Sequence, residues 1–378
     1  MVTLVTRRRA ARAIRVPARP DFHRRDSRAG GFRYLAARDA FWESEWGRGA
    51  LQATMRAAAV IGLLLVAGCQ SSRPAPAEPR VSGPSAPSAP RGTAADQHPA
   101  DEKADAGVDF AASVRAALAK QALPAVAAVL DARSGKALAL VGQGGVDASS
   151  TVLRPGSTMK PLVAFAAAKA GVLGPQHHVT CDGSYKKAFH CFDKHGDLSL
   201  SQAIETSCNV YFFDLADQMG TARLRSGLGE FGVTVPSDAR LKEKLVKDFP
   251  PYVGTGEGPY GVTAETLATA YQKLATELGA HHEAVYGEIT KGLRDVVASD
   301  TGTGRAAGVA GLDVGGKTGT TQGDPDKPVD MAPSTGWFAG YAPVGSPEIV
   351  VAVAVVGGGP GGKSAAPIAH DIFQAWRQ

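Results

Sequence analysis

Beyond Val108 the apolar positions fall into two periods. From Asp109 to Gln121 the residues Phe110, Val114, Ala117 and Leu118 recur at helical spacing. Ala125 to Asp131 and Lys136 to Gly142 are short apolar runs joined by Ala132-Arg133-Ser134-Gly135, which predicts a β-hairpin. Pro161 to Ala170 is an apolar, alanine-rich helix stopped by Gly171. Leu200 to Met219, Thr263 to Leu278 and Ala365 to Trp376 predict further helices, while Leu312 to Thr318, Trp337 to Tyr341 and Ile349 to Val356 predict strands. Helices set between an early hairpin and later strands indicate an α+β fold, with an antiparallel sheet flanked by helices in one domain over 108–378.

Upstream neither period holds. Residues 70–107 are rich in Ser, Pro and Ala, a composition that cannot pack a core and behaves as a solvated tether. Its 38 residues reach roughly 120 Å as extended polyproline II and roughly 35 Å as a flexible coil. Before the tether, Met55-Arg56 leads into AAAVIGLLLVAG and Cys69, a positive start, an apolar run and a small-residue end. Twelve apolar residues span about 18 Å as a helix, short of a hydrocarbon core of roughly 30 Å. Val66-Ala67-Gly68-Cys69 resembles a bacterial lipobox, which implies signal cleavage after 55–68, a diacylglycerol on Cys69 and Met55 as the start. Residues 1–54 are then an unfolded Arg-rich extension, or the product of a start placed too far upstream.

Charge follows the same division. The 378-residue chain carries a formal +5 and a pI near 9.0, which raises a nucleic-acid or anionic-surface partner. Residues 1–54 hold 12 Arg and no Lys against 5 acidic residues, a net of +7, so everything from Met55 onward sums to −2. The basic excess lies outside the folded part, and no nucleic-acid partner is expected.

Three short segments carry chemistry. In Pro155-Gly156-Ser157-Thr158-Met159-Lys160, positions i and i+3 share a helical face, so the Lys160 amine can reach the Ser157 hydroxyl. A lysine in a dry pocket sheds its proton more readily and can activate a serine. Ser184-Tyr185-Lys186-Lys187 matches the same spacing but lies in a polar segment without an apolar helix behind it. In Ser207-Cys208-Asn209, Asn209 is the sole asparagine of the chain and is followed by Val210, Tyr211, Phe212 and Phe213. Polar groups there need partners if buried, or they cap a helix. Gly315-Gly316-Lys317-Thr318-Gly319-Thr320-Thr321 follows an apolar strand. A phosphate-binding loop would continue into a helix, which GTTQGDP cannot form, so a cation with small hydroxyls on a strand edge suits a carboxylate instead.

In the order Ser-x-x-Lys, Ser-x-Asn and Lys-Thr-Gly, the segments resemble the penicillin-binding protein and serine β-lactamase superfamily, closest to penicillin-binding protein transpeptidase domains. AAVLDARSGKALALV, HGDLSLSQAIETSCNVYF, GEGPYGVTAETLATAYQKLA and STGWFAGYAP extend the resemblance over nearly all of 108–378. It implies Ser157 as nucleophile, Lys160 as base, Ser207 as proton relay, Asn209 as ligand of the substrate amide and Lys317 as ligand of its carboxylate. Thr318, Gly319 and Thr320 would line the substrate edge, with the backbone N–H groups of Ser157 and Thr320 as oxyanion hole. It further implies peptidoglycan stem peptides and β-lactams as partners, no cofactor and no metal, and a cell-envelope location with the membrane reached through Cys69.

A D,D-carboxypeptidase would use the same residues. A class A β-lactamase needs a Glu-x-x-Leu-Asn element, which the single asparagine precludes. A lipoprotein sensor that binds without turnover is the non-enzymatic alternative. Cys181 and Cys191 flank DGSYKKAFH, and in an exported protein they are expected to form a disulfide. His177, His178, His190, Asp193 and His195 lie near, so zinc is an alternative, although no standard zinc spacing is present and solvated surface histidines are the commoner outcome. His281-His282-Glu283 is expected to be a polar loop.

Overall fold

The computed structural model describes residues 102–237, 249–321 and 334–378. Met55 to Cys69 and the first 32 residues of the tether lie outside them. Nine strands and eight α-helices are formed among the described residues. The chain begins with helix α1 (Glu102–Ala119) and a hairpin of β1 (Ala125–Asp131) and β2 (Ala137–Gln143). A 3₁₀ turn at Gly156–Met159 leads into α2 (Lys160–Lys169). Four short strands follow, β3 (Val179–Cys181), β4 (Ser184–Tyr185), β5 (Phe189–His190) and β6 (Gly196–Leu198). Then come α3 (Leu200–Glu205), α4 (Asn209–Glu230), α5 (Phe249–Thr255), α6 (Ala264–Ala280) and α7 (Ala284–Ala298). Strands β7 (Gly315–Thr320), β8 (Gly336–Ala342) and β9 (Ile349–Val355) precede the final helix α8 (Gly361–Arg377).

The main sheet has the order β2-β1-β9-β8-β7 with every pairing antiparallel, as the sequence pattern predicts. Alternate residues of a strand face opposite sides, yet all seven residues of β9 are buried, so both faces need a cover. Helices α1 and α8 pack together on one side, where Phe338 meets Phe373 of α8 edge-on with ring centroids 6.5 Å apart. Trp337 points the other way and donates its indole N–H to the carbonyl of Arg154 at 2.8 Å. Helix α6 lies on that side, and its Tyr271 hydroxyl donates to the Thr158 carbonyl at 2.7 Å. These two bonds hold the segment entering the 3₁₀ turn to the sheet and the turn itself to α6.

Several boundaries differ from the sequence pattern, each for a local reason. Helix α1 starts at Glu102, so the last residues assigned to the tether are helical. The run expected as one helix over Leu200–Met219 is broken, because Ser207 takes a left-handed backbone conformation with φ of 60°. Strand β7 starts at Gly315, while Leu312 pairs only with Val309 in an isolated bridge. Helix α8 begins at Gly361 and carries Pro367 in its second turn, where the ring removes the N–H that would have bonded the Lys363 carbonyl. Helix α7 was not anticipated at all. His281, Glu283 and their neighbour form only the short joint between α6 and α7, with His281 stacked on Tyr286 at 4.3 Å. Among the described residues no helix is long and apolar enough to cross a membrane.

The 3₁₀ turn is also pinned from the side. Gly156 donates its N–H to the Gly256 carbonyl at 3.0 Å, and a Cβ on Gly256 would lie 1.9 Å from the Gly156 oxygen. Gly256 has φ of +77°, which penalises any L side chain by roughly 1–2 kcal/mol before the collision is counted. Gly256→Ala is therefore expected to lower the thermal unfolding midpoint by at least about 4 °C. An unchanged midpoint in a calorimetric scan would contradict this close backbone approach.

Candidate active site

Ser157 sits in the 3₁₀ turn and Lys160 opens α2, so a single turn of chain sets their separation. The Lys160 N–H donates to the Ser157 carbonyl, which closes that turn. Ser157 is partly accessible, whereas Thr158, Met159 and the whole Lys160 side chain are buried. The amine of Lys160 donates to the Ser207 carbonyl at 2.6 Å, the Asn209 Oδ1 at 2.7 Å and the Ser207 Oγ at 3.3 Å. None of these acceptors is the Ser157 hydroxyl that the spacing pointed to. The amine is instead the bridge between the first and second motifs.

The second motif is shaped by the break in the helix. A capping box starts α3, in which the Gln202 side chain accepts from the Ser199 N–H at 3.0 Å. The helix ends at Glu205, Ser207 turns left-handed, and Cys208 becomes the N-cap residue of α4. This kink turns both the carbonyl and the hydroxyl of Ser207 toward Lys160, which an uninterrupted helix would forbid. Glu205 anchors the turn from behind, because its Oε1 accepts from the hydroxyls of Ser299 and Thr301.

The third motif lies on β7, an edge strand, and not on a loop entering a helix. Lys317 is fully buried and donates to the Thr318 carbonyl at 3.1 Å. Thr318 donates its hydroxyl to Thr303 Oγ1 at 2.7 Å, and Thr303 in turn donates to the Glu205 carbonyl at 3.4 Å. The second and third motifs are thus joined through Thr303, a residue that no spacing in the sequence marked. Thr320 is exposed at the strand end, and its Oγ1 accepts from the Gly361 N–H at 3.2 Å. Gly319 continues the buried stretch beside the 3₁₀ turn.

Burial dominates the electrostatics. Desolvation pushes the Lys160 amine down to about 8, against a partial opposing pull from the sulfurs of Cys208 and Cys191 and from Glu257. Lys317 is also held well below the usual lysine value, first by burial and second by the nearby Lys160. The competing match at Ser184 to Lys187 is nothing like this site. It forms the exposed β4–β5 hairpin, both lysines have positive φ, and Lys186 pairs with Asp217 at 2.5 Å.

The expected Cys181–Cys191 disulfide is not formed. Cys181, Cys191 and Cys208 are all free thiols, and Cys208, which follows the left-handed turn at Ser207, lies beside the other two. Together with His195 they place four donor atoms within 4.8 Å of one another. Three of these residues, Cys181, Cys191 and His195, belong to the segment for which zinc is the alternative, and Cys208 joins them from the second motif. A hydrogen bond from the Cys208 thiol holds Cys191 down to about 4, and the same pairing raises Cys208. The N–H of Asn209 also donates to the Cys191 sulfur, at 3.2 Å. His178 and His190 remain at the surface, His178 beside Asp197 at 3.0 Å.

A serine and a buried lysine on one turn, a Ser-x-Asn kink against that lysine and a Lys-Thr-Gly edge strand define the serine penicillin-recognising class of folds. The family model for the penicillin binding protein transpeptidase domain matches residues 125–374, and the chain belongs to that family. It is 27% identical over 282 residues to peptidoglycan D,D-transpeptidase MrdA of Haemophilus influenzae, covering 58% of this chain and 43% of that protein. Its identity to peptidoglycan D,D-transpeptidase PbpA of Mycolicibacterium smegmatis is 26% over 276 residues, or 60% and 56% of the two chains. The chain thus spans about half the length of the curated relatives it matches. Among solved structures, the transpeptidase domain of Burkholderia pseudomallei penicillin-binding protein 3 superposes with a TM-score of 0.61 at 25% identity. That match covers 72% of this chain and 93% of the other. Pseudomonas aeruginosa PBP2 in complex with WCK 5153 gives 0.63 at 23% identity over 71% and 74%, a likeness of fold.

A base acts only when unprotonated, so if Lys160 is the base its neutral fraction would set the pH profile. The rate of covalent labelling by a fluorescent penicillin is expected to rise roughly tenfold per pH unit below about 8 and to level above it. Stopped labelling across about pH 6 to 10 checks this, and a profile that is flat through 8 would contradict a neutral Lys160 base.

Proposed function

We propose that the chain is a peptidoglycan D,D-transpeptidase that forms a serine acyl-enzyme with D-Ala-D-Ala stem peptides. The observation that carries this is the buried Lys160 amine, hydrogen-bonded to Ser207 and Asn209 and one turn from Ser157. The names of MrdA and PbpA support the same activity.

In this reading neutral Lys160 takes the Ser157 proton as the hydroxyl oxygen attacks the penultimate D-Ala carbonyl. The tetrahedral oxyanion is held by the backbone N–H groups of Ser157 and Thr320, each worth roughly 3–4 kcal/mol in acyl transfer. Ser207 passes a proton to the departing D-Ala nitrogen, and Lys160 is the group next to it that can supply one. The C–N bond breaks and the acyl group stays on Ser157. Asn209 binds the substrate amide, while Lys317 with Thr318 attracts the terminal carboxylate. An amine from a neighbouring stem peptide then attacks the ester by the same steps in reverse, and Ser157 is freed. A β-lactam enters as a strained amide whose leaving group stays tethered, so its ester persists.

The location follows from the lipobox-like segment. Cys69 would carry the lipid after cleavage, and the tether would hold the domain off the membrane on the periplasmic side of the cell envelope. Mass spectrometry of the mature protein tests this, since an N-terminus upstream of Met55 would contradict lipidation of Cys69.

Purified protein incubated with fluorescent penicillin is expected to carry a stable label that Ser157→Ala abolishes. Absence of label on the wild type would sink the acyl-enzyme reading. Rapid release of the label would indicate a β-lactamase instead. Incubation with disaccharide pentapeptide and an acceptor strand is expected to yield D-Ala together with cross-linked dimers, and D-Ala alone would indicate a carboxypeptidase.

A further inference from the structure

The turn that carries Ser157 is walled on two sides. On one side lies the end of β7, where a Cβ on Gly156 would stand 3.1 Å from the Thr320 carbonyl oxygen and one on Gly319 would stand 2.8 Å from that of Pro155. On the other side lies the segment 256–262 that follows α5. Gly156 donates to the Gly256 carbonyl at 3.0 Å, and Leu153 and Val262 exchange both backbone hydrogen bonds at 2.9 Å. The segment is thus stapled to residues 153–156 at both of its ends.

Glu257 sits on this second wall, next to Gly256. Helix α5 ends in a Schellman motif, with the Gly256 N–H donating to the Val253 carbonyl at 3.1 Å and the Glu257 N–H donating to that of Tyr252 at 2.9 Å. Tyr260 braces the loop from within, since its ring is buried and its hydroxyl donates to the Val253 carbonyl at 3.0 Å. The backbone of Glu257 is therefore fixed, while its side chain stays partly accessible between the buried Gly256 and Gly258.

Charge divides the same way. The β7 wall carries Lys317, the proposed ligand of the donor's terminal carboxylate. The facing wall carries Glu257, whose negative field reaches the Lys160 amine. The other groups that act on Lys160 are the sulfurs of Cys208 and Cys191, with Lys317 coupled to it from β7, so among the described residues Glu257 is the one carboxylate. A transpeptidase must take two substrates of unlike charge at this turn, a donor ending in a carboxylate and an acceptor that arrives as an ammonium. Two lysines repel that ammonium, and a partly buried carboxylate on the wall opposite β7 offsets the repulsion.

We propose that Glu257 is the acceptor-recognition residue, binding the incoming primary ammonium of the neighbouring stem peptide beside Ser157. The assignment rests on the transpeptidase reading of the site. The captured ammonium gives one proton to solvent, and the neutral amine attacks the ester carbonyl. The new C–N bond forms, the bond to the Ser157 oxygen breaks, and a second nitrogen proton passes to that oxygen through Lys160.

The test uses the purified protein with a D-alanyl thioester that carries no amine as donor. Two acceptors are compared, a stem peptide with a free side-chain amine, cationic near neutral pH, and hydroxylamine, which is largely uncharged there. Glu257→Gln is expected to raise the KM of the cationic acceptor roughly tenfold, with a smaller change in kcat and no comparable rise for hydroxylamine. Glu257→Asp keeps the charge and should recover part of the loss. Because the carboxylate holds the Lys160 pKa up, Glu257→Gln should also move the midpoint of the penicillin-labelling pH profile below about 8, which a purely structural role would not do. An unmoved labelling midpoint, an unchanged KM for the cationic acceptor, or an equal rise for both acceptors would each overturn the assignment. A KM that rises instead for an amine-bearing donor would place the carboxylate against the donor stem and overturn it as well. Each of these results leaves the acyl-enzyme reading standing, whereas a wild-type protein that takes no penicillin label overturns that reading itself.

Discussion

A lysine amine with no solvent exposure organises this site. Its acceptors are a carbonyl, a hydroxyl and a carboxamide, all uncharged, so no carboxylate within hydrogen-bond reach repays the cost of burying a cation. Burial therefore lowers the amine's pKa to about 8, so that part of it is neutral near physiological pH, as the proposed base role requires. Its three acceptors lie on two residues of one kink, so the chain has to break helical geometry at Ser207 to satisfy them. That break places Cys208 at a helix N-cap and Asn209 at the first position of α4. The Glu205–Thr303–Thr318 chain then carries the constraint to β7, so that all three motifs are positioned by one buried nitrogen and one turn.

Much of the framework was legible because its determinants are local. The β1–β2 hairpin, α2, α6 and β9 follow from apolar runs and caps within a few residues of themselves. Helix α7 follows the same helical spacing, with Val285, Tyr286, Ile289, Leu293, Val296 and Val297 buried. Two glycines and several charges inside it weaken the signal. Gly292 is there for packing and not for a turn, since a Cβ would come within 2.8 Å of Ile204 and 2.9 Å of the Ser201 carbonyl. Local propensity had no means of expressing that contact with α3.

The site shows the same division between local and long-range information. Ser157, Lys160, Ser207, Asn209 and Lys317 could be picked out because each motif spans only a few residues, and the fold brings them together. Their pairing was harder to see. Lys160 contacts the second motif and not the Ser157 hydroxyl, while Thr303 entered only through a bond to Thr318. The cysteines divide in the same way. Cys181 and Cys191 are neighbours along the chain and invite a disulfide, but Cys208 joins them only after the Ser207 turn has formed. Cys191 and His195, four residues apart, lie in the cysteine- and histidine-rich segment for which zinc is the alternative.

The central claim is that burial lowers the Lys160 pKa from its ordinary value to about 8, so that a working fraction of the amine is neutral near physiological pH. A direct measurement is the ¹³Cε chemical shift of Lys160 in selectively labelled protein, assigned through its loss in Lys160→Arg and followed as pH is raised. The account predicts a titration centred at about 8. A midpoint at the ordinary lysine value of 10.5 would contradict it.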